Sequence, residues 1–214
     1  MTVWWLALIL LSCVLNCVDS APAPVRQRNK YNNSFRLTRS TRTRVQEVLK
    51  KYKEQQLGDM ENFVRGSRQL KDLPSLSTDF YGWLQLTDWD RLHCAFCDMQ
   101  AFWDKLEWKR KQLEEEKEQM VVQATQTTLP QSIKHIQLDL RDLMNQVSSQ
   151  MRRMNSSWSK PVSATQQQTP SNPESSSTKL WHSRVEGYII LRHLDLYLTK
   201  LARDFLLLAS KTRS

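Results

Sequence analysis

Residues 179–211 carry apolar side chains at helical spacing for some nine turns, and a tract of Ser, Thr, Gln and Pro over residues 155–178 precedes them. A helix this long must bury its apolar stripe against other elements. The tract has too little apolar surface to offset the entropy of ordering itself, so it reads as a mobile connection. Together they call for a bundle whose last helix is delivered by a long overhand link. The first turn of that helix presents an aromatic residue and a cation, Trp181 and Arg184.

Three more stretches have the helical period. Val45, Val48, Leu49, Tyr52 and Leu57 mark a first helix over residues 38–57, with Gly58 where a C-terminal glycine cap belongs. Trp89, Leu92, Phe96, Met99, Trp103, Leu106 and Leu113 mark a second, opening at Thr87 with Asp90 three residues on. Ile133, Ile136, Leu140, Leu143, Val147, Met151 and Met154 mark a third. It is introduced by Thr128-Leu129-Pro130-Gln131, a capping box with proline in the first turn. Residues 58–87 show no sustained period. The links between the four helices are therefore long, short and long. A tight link forces antiparallel neighbours, whereas about 30 residues of extended chain reach ~100 Å and can run the length of a bundle. The expectation is an all-α, long-chain four-helix bundle, up-up-down-down, with two long crossover loops.

Composition supports this. The chain has only four glycines, fewer than a strand-rich fold uses in its turns, and is rich in strong helix formers. The apolar run at residues 3–15, followed by Val18-Asp19-Ser20, reads as a secretory signal over residues 1–20, cut between Ser20 and Ala21. No other stretch is apolar enough to span a bilayer, so a soluble, secreted, extracellular monomer is expected. Residues 21–37 read as a disordered basic tail ahead of a helical domain over residues 38–214. Asn32-Asn33-Ser34 and Asn155-Ser156-Ser157 are glycosylation sequons.

The net charge is +9, and residues 26–53 hold ten Lys/Arg against one acid, Glu47. Such a block either holds a protein on acidic cell-surface polysaccharide of the heparan sulfate kind or is a solvated face and tail. Nothing in the pattern calls for nucleic acid.

No active site is expected. There is no glycine-rich phosphate loop and no Gly-x-Ser-x-Gly elbow. His93, His135, His182 and His193 have no partner at metal-ligand spacing, and no cofactor or metal is expected. Cys94-Ala95-Phe96-Cys97 falls about two turns into its helix, away from the N-terminal dipole that activates redox pairs. Cys94 and Cys97 read as two packed free thiols or a local i,i+3 bridge.

Three stretches resemble the interleukin-6 family of helical cytokines, in the branch of ciliary neurotrophic factor, cardiotrophin-like cytokine and leukaemia inhibitory factor. Tyr52-Lys53-Glu54-Gln55-Gln56-Leu57-Gly58 is similar to that branch's end of helix A. Ser77-Thr78-Asp79, Trp83 and Thr87-Asp88-Trp89-Asp90-Arg91-Leu92 are similar to its entry to helix B. Leu191, Leu194, Tyr197, Lys200, Asp204 and Phe205 fall in register with its helix D. That register sets Trp181 and Arg184 on the family's Phe-x-x-Lys receptor motif. The resemblance implies a cytokine that crosslinks a shared glycoprotein-130 type chain with a leukaemia inhibitory factor receptor type chain and triggers JAK/STAT signalling. Trp181, Arg184 and, in the A–B loop, Trp83 would contact the second receptor. The alternative is a secreted lipid-binding protein of amphipathic helices. The narrow 3/4 stripes with large aromatics and the lack of tandem repeats speak against it.

Overall fold

The apolar seams pair off in space as a single core. The computed structural model describes residues 23–58, 73–76, 79–118, 128–155, 157–159 and 176–212. The expected leader at residues 1–20, with its cut between Ser20 and Ala21, lies outside them, as do all of residues 59–72 and 160–175. Helix α1 is Ala23–Tyr52, prolonged by a π-helical turn, Lys53–Leu57. It ends at Gly58, whose φ of 58° is the left-handed geometry glycine adopts at such stops. A short helix, α2, is Phe80–Gln85. The remaining long helices are α3 (Asp88–Glu118), α4 (Leu129–Met154) and α5 (Ser176–Lys211).

Cross-helix bonds fix the topology. Ser34 faces Gln146 and Gln150, and Arg44 pairs with Asp139, so α1 runs antiparallel to α4. Arg42 pairs with Asp195 and Tyr52 reaches Arg184, so α1 is also antiparallel to α5. Gln137 contacts Trp103 and Glu107, setting α3 against α4. Tyr197 bonds the carbonyl of Ala95 and Lys109 reaches Ser183, so α3 runs antiparallel to α5. Only up-up-down-down satisfies all four pairings. The core contains the expected seam residues from Val45 and Val48 through Phe96, Met99, Ile136, Leu140 and Val147 to Leu194, Tyr197 and Phe205.

The caps form as the sequence directs. Thr128 and Gln131 make the reciprocal box. At α3 the Asp90 amide donates to Thr87 Oγ1 at 3.1 Å, while the Thr87 hydroxyl donates to the Asp90 carboxylate at 2.6 Å.

Three expectations are corrected. Residues 21–37 are not a disordered tail from Ala23 on: α1 begins there. Its early turns bury Tyr31, Ser34 and Thr38, and its inward stripe is largely hydroxyl rather than apolar. Ser34 donates to Gln146 at 2.7 Å and accepts from Gln150 at 3.1 Å. Helical order here is carried by buried hydrogen bonds, which an apolar periodicity does not register. The last crossover does not begin immediately after α4, because Trp158 seats its ring edge-on to Phe96 at 5.5 Å. Met154, expected in the α4 seam, is exposed, whereas Phe102 is fully buried.

Candidate functional site

The start of α5 is held by side chains from two other helices. Tyr52 Oη donates to the carbonyl of Arg184 at 3.0 Å. Lys109 Nζ donates to the carbonyl of Ser183 at 3.0 Å and to its hydroxyl at 2.8 Å, and Ser183 in turn donates to Gln112 at 2.7 Å. Lys109 is buried and only 1% exposed. Burial lowers its pKa to about 8, partly offset by the fields of Glu116 and Glu186. Burial likewise pushes the Tyr52 phenol far above its ordinary value, so it stays a donor. The close approach requires Gly187: a Cβ there would meet Tyr52 Oη at 2.3 Å and Lys109 Cε at 2.7 Å.

This polar node presents the outward side of the first turns. Trp181 and Arg184 are both half-buried, three residues apart and so on one helical face, with Leu180 and His182 exposed beside them. Arg184 Nε is sequestered with no acceptor among the described residues. The arrangement has the parts of a docking point for another protein: an aromatic surface and a planar cation on a turn that cannot easily shift.

Trp83 is elsewhere. Its indole N–H donates to Asp204 at 2.6 Å, and Arg91 donates to the same carboxylate oxygen at 2.6 Å. Arg91 also donates to the Trp83 carbonyl at 2.5 Å, with its guanidinium 4.8 Å from the Trp83 ring centroid. Asp204 lies 23 residues beyond Trp181 on the same helix, about 34 Å along its axis. The expected joint surface of Trp83 with Trp181 and Arg184 does not exist. Trp83 instead clamps α2 to the entry of α3 and the far end of α5. The clamp turns Phe80, Tyr81 and Leu84 outward, 62%, 74% and 44% exposed. Sequence reasoning missed this cluster because a six-residue helix in a long loop leaves no periodic signal. Its one cue was Asp79, whose carboxylate caps the amides of Tyr81 and Gly82.

Cys94 and Cys97 are free and exposed, not packed. Cys97 Sγ lies 3.9 Å from His93 Nε2, and partial burial raises both thiol pKa values. Among the described residues no three His, Cys, Asp or Glu side chains gather at metal-binding distance. Asn155 is exposed at the C-cap of α4, its side chain accepting from the Ser157 amide at 3.0 Å. Asn32 stands on α1, and the hydroxyl of its sequon partner Ser34 is buried. A third open feature is a groove of about 390 Å³ between α1 and α4, lined by Lys30, Asn33, Asn145, Gln146, Ser149 and Gln150.

A family model, that of ciliary neurotrophic factor, matches residues 15–214. A search of the curated proteins found no match.

Proposed function

The chain belongs to the ciliary neurotrophic factor family, and from that premise we propose that it is a secreted cytokine acting through two class I receptor chains. The family is one of signalling ligands of the interleukin-6 type rather than of enzymes. The mechanism is crosslinking. A shared, glycoprotein-130 type receptor would occupy the exposed faces of α1 and α4. A leukaemia inhibitory factor receptor type chain would occupy the start of α5 through Trp181 and Arg184. Bringing the two together would activate their cytoplasmic kinases and STAT factors.

The observation that carries this reading is the pinned first turn of α5. Two side chains from other helices hydrogen-bond its backbone at Ser183 and Arg184, and Trp181 and Arg184 are left partly accessible on it. Trp and Arg are the residues most enriched at interface hot spots. Trp in place of the family's Phe and Arg in place of its Lys keep an aromatic beside a cation while enlarging the ring and replacing a point charge by a planar fork. Trp83 has no part in this surface. The lipid-binding alternative loses its premise, because the apolar stripes of all four long helices are already buried against one another.

The test is STAT phosphorylation in cells expressing defined receptor pairs, comparing wild type with Trp181→Ala/Arg184→Ala. The double variant should keep its helical circular dichroism and lose signalling by tenfold or more, the scale of losing two hot-spot side chains. A folded variant with wild-type potency would remove the site assignment.

A further inference from the structure

The basic block lies on an ordered helix, and four of its ten cations share one face. At 100° per residue, Arg28, Arg36, Arg39 and Lys50 fall within an arc of about 80°, spread over roughly 33 Å of helix. Arg36, Arg39 and Lys50 are exposed and Arg28 half-exposed. Among the described residues none of the four has a carboxylate partner, whereas Arg42 and Arg44 on the flanks are paired with Asp195 and Asp139. The arc points outward, away from the buried side of α1, and lies nearer the Arg42 flank that meets α5 than the Arg44 flank that meets α4. The Arg42–Asp195 and Tyr52–Arg184 contacts set the register against α5. It brings Arg192 of α5 level with residue 45 of α1, and Arg203 level with residue 34. Both are exposed. Two exposed acids border the arc, Glu47 at its edge and Glu54 one turn beyond Lys50, and Asp195 is occupied by Arg42.

We propose that this α1/α5 shoulder binds a linear sulfated polysaccharide of the heparan sulfate class. A row of unneutralised guanidinium and ammonium groups along one straight element matches a linear polyanion. Arginine forks also suit sulfate oxygens as they suit phosphate. Polar residues on or beside the arc include Asn29, Asn32, Ser40 and Thr43, which suit sugar hydroxyls. An acidic membrane is the poorer occupant. Helices that lie in the bilayer interface carry Trp, Phe or Leu opposite their cations, and the exposed face of α1 has only Val25 at its end. The shoulder is distinct from the α1/α4 groove and from the start of α5, so the inference does not depend on which receptors bind.

The experiment uses the full chain free of N-glycan, since Asn32 stands within the same arc. Affinity for heparin is measured across a salt series for Arg28→Gln/Arg36→Gln/Arg39→Gln/Lys50→Gln. The comparison variant loses the same charge from exposed positions of α4: Lys134→Gln/Arg141→Gln/Arg152→Gln/Arg153→Gln. The α1 variant should bind at least tenfold more weakly, and its log-affinity against log-salt slope should fall by about three. The α4 variant should change less than threefold. Equal losses in both variants would show that net charge alone is being read and would overturn the proposal. So would vesicles of phosphatidylserine that bind as tightly as heparin and depend on the same four residues. Heparin affinity is read on the isolated chain with no receptor present, so a failure here and a failure of the receptor assignment are scored separately.

Discussion

Lys109 is the residue whose chemistry is least expected from its place in the chain. In the sequence it is one of several charged residues late in α3, and nothing in the pattern sets it apart. In the fold it is buried on uncharged partners, Ser183 and Gln112. Its folded pKa of about 8 lies below the ordinary lysine value near 10.5. The protonated form is therefore the disfavoured one in the native state. Below pH 8 both folded and unfolded chains hold the proton and the cost is fully present, ~3 kcal/mol for a shift of this size. Between pH 8 and 10.5 the unfolded chain binds more protons than the folded one, so this cost fades as pH rises. Lys109→Met should be more stable than wild type at pH 7, and its advantage should shrink steadily toward pH 9.5 in thermal melts followed by circular dichroism. An advantage independent of pH would show that folded and unfolded chains hold the proton equally, so that burial does not lower the Lys109 pKa. Gly187 is equally silent in the sequence, where a mid-helix glycine is only a weak spot. Gly187→Ala gains about 1 kcal/mol of helix propensity. It also drives a methyl into Tyr52, itself fixed in the core, and overpacking of that kind costs 1–3 kcal/mol. The expected result is a net loss of stability, read as a lower Tm.

At the scale of elements, what the sequence disclosed was set by how each helix is buried. The seams of α3, α4 and α5 are apolar and periodic, and their caps use residues with one obvious purpose, so those helices were legible to within a few residues. The first half of α1 was not. Its inward positions are Tyr31, Ser34, Thr38 and Thr41, mostly hydroxyls that bond Gln146, Gln150 or the preceding turn. Deleting residues 23–37 tests the difference directly. A disordered tail could be removed without consequence. The helix described here would lose Tyr31 from the core and strand Gln146 and Gln150, so the truncated chain should melt at least 10 °C lower; loss of the Tyr31 side chain alone is worth about 3–5 kcal/mol. The short α2 depends on one clamp. Arg91→Ala would leave Asp204 buried without its cation, an effect of about 3–5 kcal/mol. Arg91→Ala/Asp204→Ala should cost less than the two single changes added together. Chemical denaturation of the three variants provides the cycle, and strict additivity would mean that the pair does not act as a unit.

For the whole molecule, loop lengths pointed to the observed directions of the four helices, because a short link forces antiparallel neighbours while long links permit parallel ones. They could not say where the end of the first long link lands. Trp83 was expected near the start of α5 and is seated about 34 Å away, since its anchor is a single carboxylate, Asp204, that no periodicity marks. The same topology keeps the proposed receptor surfaces apart. Helix α1 has α4 on one flank and α5 on the other, so the α1/α4 face and the first turn of α5 are held by different contacts. Damage to one should leave the other intact. Trp181→Ala/Arg184→Ala is therefore expected to retain binding to the shared receptor chain within threefold of wild type while failing to recruit the second. A ligand that fills one arm of a two-receptor complex competes with the complete ligand. Excess double variant should shift the wild-type STAT dose–response to higher concentration without lowering its maximum. If the variant neither signals nor competes, the two surfaces are coupled, and the separation implied by the helix pairing does not extend to receptor binding.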